Sequence, residues 1–239
     1  MVTSQTPVSV APGQSQEQGP DLGAELAALA DSGSLRNALV KAVKDAKDQW
    51  KIQAHFRNIT IHAVSAIGTP GCLTGPDLEY LILQTPEVKS LSGLAEAVAE
   101  AVAEGVDEAF DRWRSKVTVP GLPWYPAFAA WPGPEAPPTP NVPFPLISCV
   151  SAQVTAITVP SNLKSAMYDA LPEELKRPEI VPLLDQLATL LAAHFGPWLA
   201  SQQVSLVMGR GPVPSFAPPF VPVGPVVNGS IIEAPRHLL

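Results

Sequence analysis

The chain has 239 residues and a formal net charge of −7; 46% of its residues are hydrophobic and 15% are charged. The negative balance argues against nucleic acid as the main partner, because neutralising phosphates requires clustered Lys and Arg. The charged fraction lies below the ~25% typical of soluble domains, which predicts a surface partly covered by neighbouring subunits. An ordinary acidic cytosolic protein is the alternative.

Residues 1–33 are predicted to form a flexible N-terminal arm. The first part of this segment is rich in Ser, Gln, Pro and Gly without periodicity, and such a composition cannot bury enough apolar area to offset the entropy of ordering. The segment also lacks the basic start and apolar core of a secretion signal. No run in the chain approaches the ~18 apolar residues of a membrane span, so we expect neither a secretion signal nor a span.

A first helix–strand module is predicted over residues 34–145. Apolar residues at helical spacing indicate a helix over 34–53, and a β-rich run indicates a strand over 56–64. Pro76 is suited to the first turn of a short helix. A long amphipathic helix is then predicted over 92–116, with cations at its C-terminal end.

A second module is predicted over residues 146–239. Its first part, 146–159, is apolar and fits a helix or a strand equally well. Helices are predicted over 161–171 and 179–201, and the second of these is apolar around more than half of its circumference. A Pro-rich C-terminal tract, 208–239, closes the module.

The two modules are predicted to be related. Residues 78–113 and 163–198 each run from a Leu to a Trp over a spacing of 35 residues, and each ends in Phe-x-x-Trp. The tetrapeptides that begin at Val64 and Val154 are also alike. We therefore predict an α+β fold of two related small helix–strand modules with long Pro-rich extended arms; chance similarity is the alternative.

Prolines and aromatic residues alternate over 117–145, so this tract should be extended rather than a helix or a central strand. Its rings, and those of the later tract, are predicted contact anchors between subunits, because Pro fixes φ in advance and lowers the entropy lost on docking. Packing of the rings on their own module and a disordered linker are the alternatives. The predicted anchors are Trp124, Tyr125, Phe128, Trp131, Phe216 and Phe220.

No catalytic motif is recognisable, and the histidines do not have metal-ligand spacing. We therefore expect a non-enzymatic protein with no cofactor and no metal. His194, on the apolar last helix, is interpreted as a core histidine. The histidines are His55, His62, His194 and His237.

Two cysteines leave two interpretations open. Cys72 lies in a Gly-bounded loop that should be flexible and exposed, which suits a crosslink or a disulfide with Cys149. The other interpretation is a pair of reduced, structural thiols. Cys149 has no electropositive neighbour in the sequence that would activate it.

In residues 120–145 and 209–225 the chain resembles structural proteins of tailed-phage or contractile-injection particles, which combine small α/β modules with long Pro- and Gly-rich arms. The resemblance implies a non-enzymatic structural subunit of a large assembly. Its partners would be other copies of itself and other subunits, in a virion or a cytoplasmically assembled particle. The alternatives are a soluble small-molecule-binding protein, an enzyme of unidentified chemistry, and an adaptor for Pro-rich partners.

Overall fold

Helices account for about 52% of the residues and strands for about 21% in the computed structural model, which confirms the predicted α+β class. The structure describes residues 21–217 and 223–239. Within them the α-helices are α1 Leu22–Asp31, α2 Gly33–Gln53, α3 Leu78–Leu83, α4 Pro86–Lys89, α5 Leu94–Ser115, α6 Pro126–Ala129, α7 Thr155–Thr158, α8 Pro160–Asp169 and α9 Val181–Ser201. Short 3₁₀ turns are found at Leu146–Ser148, Glu173–Leu175 and Pro178–Ile180.

The strands are short, between two and six residues each. They are β1 His55–Phe56, β2 Ile59–His62, β3 Ser65–Gly68, β4 Leu73–Thr74, β5 Val119–Pro123, β6 Glu135–Pro140, β7 Phe144–Pro145, β8 Gln203–Val204, β9 Met208–Pro212 and β10 Gly229–Ile232. Antiparallel pairing joins six of them into one sheet in the order β5-β3-β2-β10-β9-β6. Two-stranded pairs β1–β4 and β7–β8 lie outside it.

The long helices lie where the apolar periodicity predicts them. Helices α2, α5 and α9 confirm the predictions for 34–53, 92–116 and 179–201, and α3 and α8 confirm the two short ones. The predicted N-terminal arm is wrong from residue 21 onwards. Asp21 caps α1 by accepting a hydrogen bond from the Gly23 N–H at 3.1 Å, and Leu26 is fully buried. Residues 1–20 lie outside the described residues.

The central sheet draws its strands from both predicted modules. Strands β9 and β10, from the second half of the chain, lie between β2 and β6, from the first half. One continuous cluster of buried side chains also runs through both halves. The predicted boundary between 145 and 146 therefore does not separate two sheets or two cores.

The Pro-rich tracts become strands of this sheet. Tract 117–145 supplies β5 and β6, the two outer strands, and β7 of a separate pair, which agrees with the expectation that it contains no central strand. The expectation that it contains no helix is wrong, because Pro126–Ala129 form the one-turn helix α6. Proline on an outer strand costs little because its missing N–H faces away from the ladder. The later tract differs, because its β9 is a central strand. Gly211 makes this possible, since a Cβ there would lie 2.5 Å from the Gly229 Cα.

The helix ends meet in one aromatic cluster. Trp50 of α2 lies edge-on to Phe110 of α5, with ring centroids 4.8 Å apart. Trp113 of α5 and Trp198 of α9 are 6.1 Å apart, and Phe195 completes the group. The two Phe-x-x-Trp sequences therefore contact each other directly, at the ends of the long helices.

The internal similarity holds for the helices and not for the tetrapeptides. Each 36-residue segment begins with a short helix and ends in a long one, α3 with α5 and α8 with α9, although α4 lies between α3 and α5. The tetrapeptide that begins at Val64 enters β3, whereas the one that begins at Val154 enters α7. Duplication of the helix pairs stays a prediction.

Candidate functional site

The six predicted contact anchors have different environments. Trp124 and Phe128 are each only 2% exposed, and their rings pack together with centroids 6.2 Å apart. The Trp124 Nε1–H donates to the Thr139 carbonyl at 3.0 Å, so the indole is satisfied inside its own chain. These two residues are therefore core residues and not contact anchors. The alternative interpretation, packing on their own chain, is correct for them.

The remaining anchors offer less exposed surface than the sequence indicates. Trp131 and Phe216 are partly buried and pack against the core, and the Trp131 carbonyl accepts from the Gly224 N–H at 3.3 Å. Tyr125 is 44% exposed. Phe220 lies outside the described residues.

Both cysteines are buried free thiols, so the expectation of an exposed crosslinking loop at Cys72 is wrong. The Cys72 thiol donates to the Val117 carbonyl at 3.4 Å. Burial raises the pKa of Cys72 to about 11 and that of Cys149 to about 12. Because the thiolate is the reactive form, the structure fits the interpretation of reduced, structural thiols.

An apolar surface is present where the sequence left the structure undecided. Ile147, Val150 and Val154 are 55%, 58% and 37% exposed, and they surround a cleft of about 260 Å³ that reaches Trp113 and Leu199. We call these three side chains and their cleft the 147–154 surface. Exposed large aliphatic side chains that lie side by side differ from the isolated ones found on most surfaces.

The backbone beneath the 147–154 surface is held firmly. Thr118 donates twice to the Val150 carbonyl, from its N–H at 2.8 Å and from its hydroxyl at 3.0 Å. The Ser151 hydroxyl donates to the Trp113 carbonyl at 2.8 Å. Leu146 and Cys149 point inward and are buried. The exposed side chains are therefore presented by a fixed segment.

Three carboxylates converge at the start of α3. One oxygen from each of Asp77, Glu79 and Asp107 lies within 4.8 Å of the others. Burial is the largest cause of a raised pKa at both Glu79 and Asp107, and the neighbouring acidic side chains raise these pKa values further. Two of these carboxylates already accept backbone hydrogen bonds at 2.9 Å, Asp107 from Leu78 and Asp77 from Tyr80. These two hydrogen bonds cap the first turn of α3, which accounts for the positions of Asp77 and Asp107.

A buried amine joins α2 to α9. Lys47 Nζ lies 3.0 Å from His194 Nε2, 2.9 Å from the Asp48 carboxylate and 5.1 Å from the Trp198 ring centroid. Burial lowers the pKa of Lys47, and burial together with the nearby lysines lowers the pKa of His194. His194 is half-buried and contacts this amine. It therefore lies at the edge of the core, whereas the sequence predicts a core histidine.

An open groove of about 530 Å³ runs between α2 and α9, on another side of the helices. It is lined by one exposed aliphatic side chain and several polar ones, and the Arg36 guanidinium donates to the Gln186 side chain at its rim. Its lining residues are Arg36, Asn37, Asp185, Gln186, Thr189 and Leu190. The groove is roomy enough for a small ligand, but its width and its polar rim do not indicate a particular one.

No protein-family model, curated protein or solved structure matches this chain. Among the described helices, none is long and apolar enough to cross a membrane.

Proposed function

We propose that the chain is a non-enzymatic structural subunit of a large protein assembly and that it contacts other copies of itself through the 147–154 surface. The observation that carries the proposal is the set of three exposed aliphatic side chains around an apolar cleft. Burying such a side chain completely from water contributes roughly 1.5–3 kcal/mol, and because these three are 37–58% exposed, covering each of them would contribute about half of that. Because the supporting backbone is already fixed by hydrogen bonds, little entropy is lost when it docks.

The sheet edges favour contact through faces rather than through strand pairing. Prolines interrupt both outer strands, Pro120 and Pro123 in β5 and Pro137 and Pro138 in β6. Proline on an outer strand removes the donors that a foreign strand would need, which protects a sheet from unspecific extension. A subunit with prolines in both outer strands of its sheet and an apolar surface elsewhere is suited to a defined neighbour.

The resemblance in the Pro-rich tracts extends the proposal to a virion or a phage-tail-like particle. Other subunits of that particle would be further partners. The net charge of −7 favours protein over nucleic acid in this role.

Sedimentation velocity over a dilution series tests the self-contact. We expect concentration-dependent association of the wild-type chain and its loss in Val150→Asp, because a buried unpaired carboxylate opposes docking. Leu190→Asp is the matched control, since Leu190 is also exposed, at 44%, but lies in the α2–α9 groove. A monomeric wild-type chain, or equal losses in both variants, would contradict the proposal.

The α2–α9 groove supports one second candidate, a soluble small-molecule-binding protein. Its volume of about 530 Å³ lies in the range of small-molecule sites, and Arg36 and Gln186 offer polar groups that could orient a polar ligand. A thermal-shift screen of metabolites tests this candidate. Stabilisation that Arg36→Ala abolishes would favour ligand binding, and a screen without stabilisation would count against it.

A further inference from the structure

The segment 237–239 is held in a slot between two parts of the chain. The His237 N–H donates to the Ala54 carbonyl at 3.3 Å, and the Ser205 N–H donates to the His237 carbonyl at 2.9 Å. Leu239 exchanges two further backbone hydrogen bonds with Gln203, at 2.9 and 3.0 Å. The segment therefore closes the edges of both 54–56 and 203–205.

The ring of His237 is the unusual element of this contact. It is 0% exposed, and its Nδ1 accepts a hydrogen bond from the Phe56 N–H at 2.9 Å. The proton of the neutral ring must therefore be on Nε2, which has no hydrogen-bond partner among the described residues. A second proton could only go to Nδ1, where it would point at the Phe56 N–H and remove that group's acceptor.

The connection to the rest of the chain contains a residue in an uncommon backbone conformation. Residues 233–236 join β10 to the segment, and Arg236 has a φ of 72°, a strained value for a residue with a side chain. The same connection borders a cleft of about 410 Å³ formed with Gln53 and His55. Release of the segment would relieve the strain, and the cleft gives it room.

We propose that the segment 237–239 is an acid-released latch, in which protonation of the buried His237 ring opens the slot between 54–56 and 203–205. This inference is independent of the proposed assembly role. His55 faces the ring from β1 with centroids 6.4 Å apart, and its electrostatic effect disfavours a charge on the His237 ring inside the slot. Gln203–Ser205, on the other side of the slot, contain no ionisable side chain, and Arg236 precedes the ring in its own segment.

The direction of the pH dependence follows from the two states of the ring. Burial, and to a smaller extent the nearby His55, lowers the pKa of His237 from 6.5 to about 4. A released ring keeps the ordinary value. Protons therefore bind the released state better. The latch has full strength well above pH 6.5, weakens by up to about tenfold for each pH unit between 6.5 and 4, and is about 160-fold weaker at pH 4.

Native-state hydrogen exchange on the full chain tests the latch, with protection corrected for the intrinsic exchange rate. Wild-type amides of Phe56, Ser205 and Leu239 should be less protected than that of Val102 in α5, and their protection should fall between pH 6.5 and 4. His237→Asn keeps an acceptor for the Phe56 N–H but does not titrate, so it should remove the dependence. His55→Asn, the control, should retain most of it.

Two results would overturn the latch. One is latch amides that are as protected as Val102 at every pH, because opening would then be global unfolding. The other would come from NMR titration of the His237 ring in the wild-type chain. This measurement does not require His237→Asn to fold. A native pKa near 6.5, or a neutral ring with its proton on Nδ1, contradicts the proposal.

Discussion

Gly105 lies at the closest approach of two helices, and Gly105→Ala should destabilise the protein. A Cβ at this position of α5 would lie 2.6 Å from the Met167 N and 2.7 Å from the Ala166 carbonyl carbon, both backbone atoms of α8. Ordinary contacts of this kind are 3.4–4 Å, so the helices would have to move apart by roughly 1 Å. Backbone atoms cannot rotate away as a side chain can.

Two effects of opposite sign set the magnitude. Overpacking in a filled core costs typically 1–3 kcal/mol and occasionally more, and here the obstacle is backbone, which favours the upper end. Ala favours the helix over Gly by about 1 kcal/mol. We therefore expect Gly105→Ala to lower the free energy of unfolding by about 2 kcal/mol.

Gly196→Ala in α9 is the matched control. No heavy atom of the described residues outside its own helix backbone lies within 4 Å of a Cβ placed there. The gain in helix propensity is reduced because Pro197 follows and crowds a preceding Cβ, so the change should stay within about 1 kcal/mol of zero. Urea unfolding monitored by circular dichroism measures both variants. Equal stabilities of the two variants would refute the close approach of α5 and α8.

Trp113→Ala and Trp198→Ala should each destabilise the protein by about 3–5 kcal/mol in the same assay, because both remove a buried ring from one aromatic cluster. A harmless change at either position would contradict equivalent roles for the two helix pairs. Neither Cys72 nor Cys149 should react with a thiol reagent at mildly alkaline pH in the folded protein, whereas both should react in denaturant, because their thiolates are suppressed by burial. Rapid labelling of the native chain would show that one of them is accessible.

The helices could be predicted from the sequence because a packed helix needs apolar residues at a regular spacing within one short stretch of the chain. Helices α2, α5 and α9 each bury one apolar side, so Leu35, Leu39 and Trp50 recur at the spacing of a helix turn and are all buried. Helix α1 was missed because its signal is only ten residues long and follows a segment without periodicity. Asp21, which caps it, is a further indication of its start in the sequence.

The sheet could not be predicted because its pairing is non-local. Strand β9 reads Met-Gly-Arg-Gly-Pro, a composition typical of a loop. It becomes a central strand because Gly209 and Gly211 let Trp124 and Gly229 approach their backbone closely, and those residues are distant in the chain. No window of the sequence contains both sides of such a contact.

The same limitation explains the wrong assignment of Trp124 and Phe128. A proline-fixed aromatic ring has the same sequence pattern whether it packs on a neighbouring subunit or on its own chain. The deciding feature is a receiving surface, and for Trp124 that surface is Gly209 together with the Thr139 carbonyl that satisfies its indole.

The apolar contacts of the proposed self-association are therefore expected from a different surface. Ile147 and Val150 are exposed because Leu146 and Cys149, one position before each, already fill the core, and the two hydrogen bonds from Thr118 prevent the segment from turning them inward. A segment that is held rigidly while it exposes apolar side chains gains nothing within its own chain from that arrangement. Only a surface that covers these side chains would recover the free energy, which is the physical reason to expect a neighbour there.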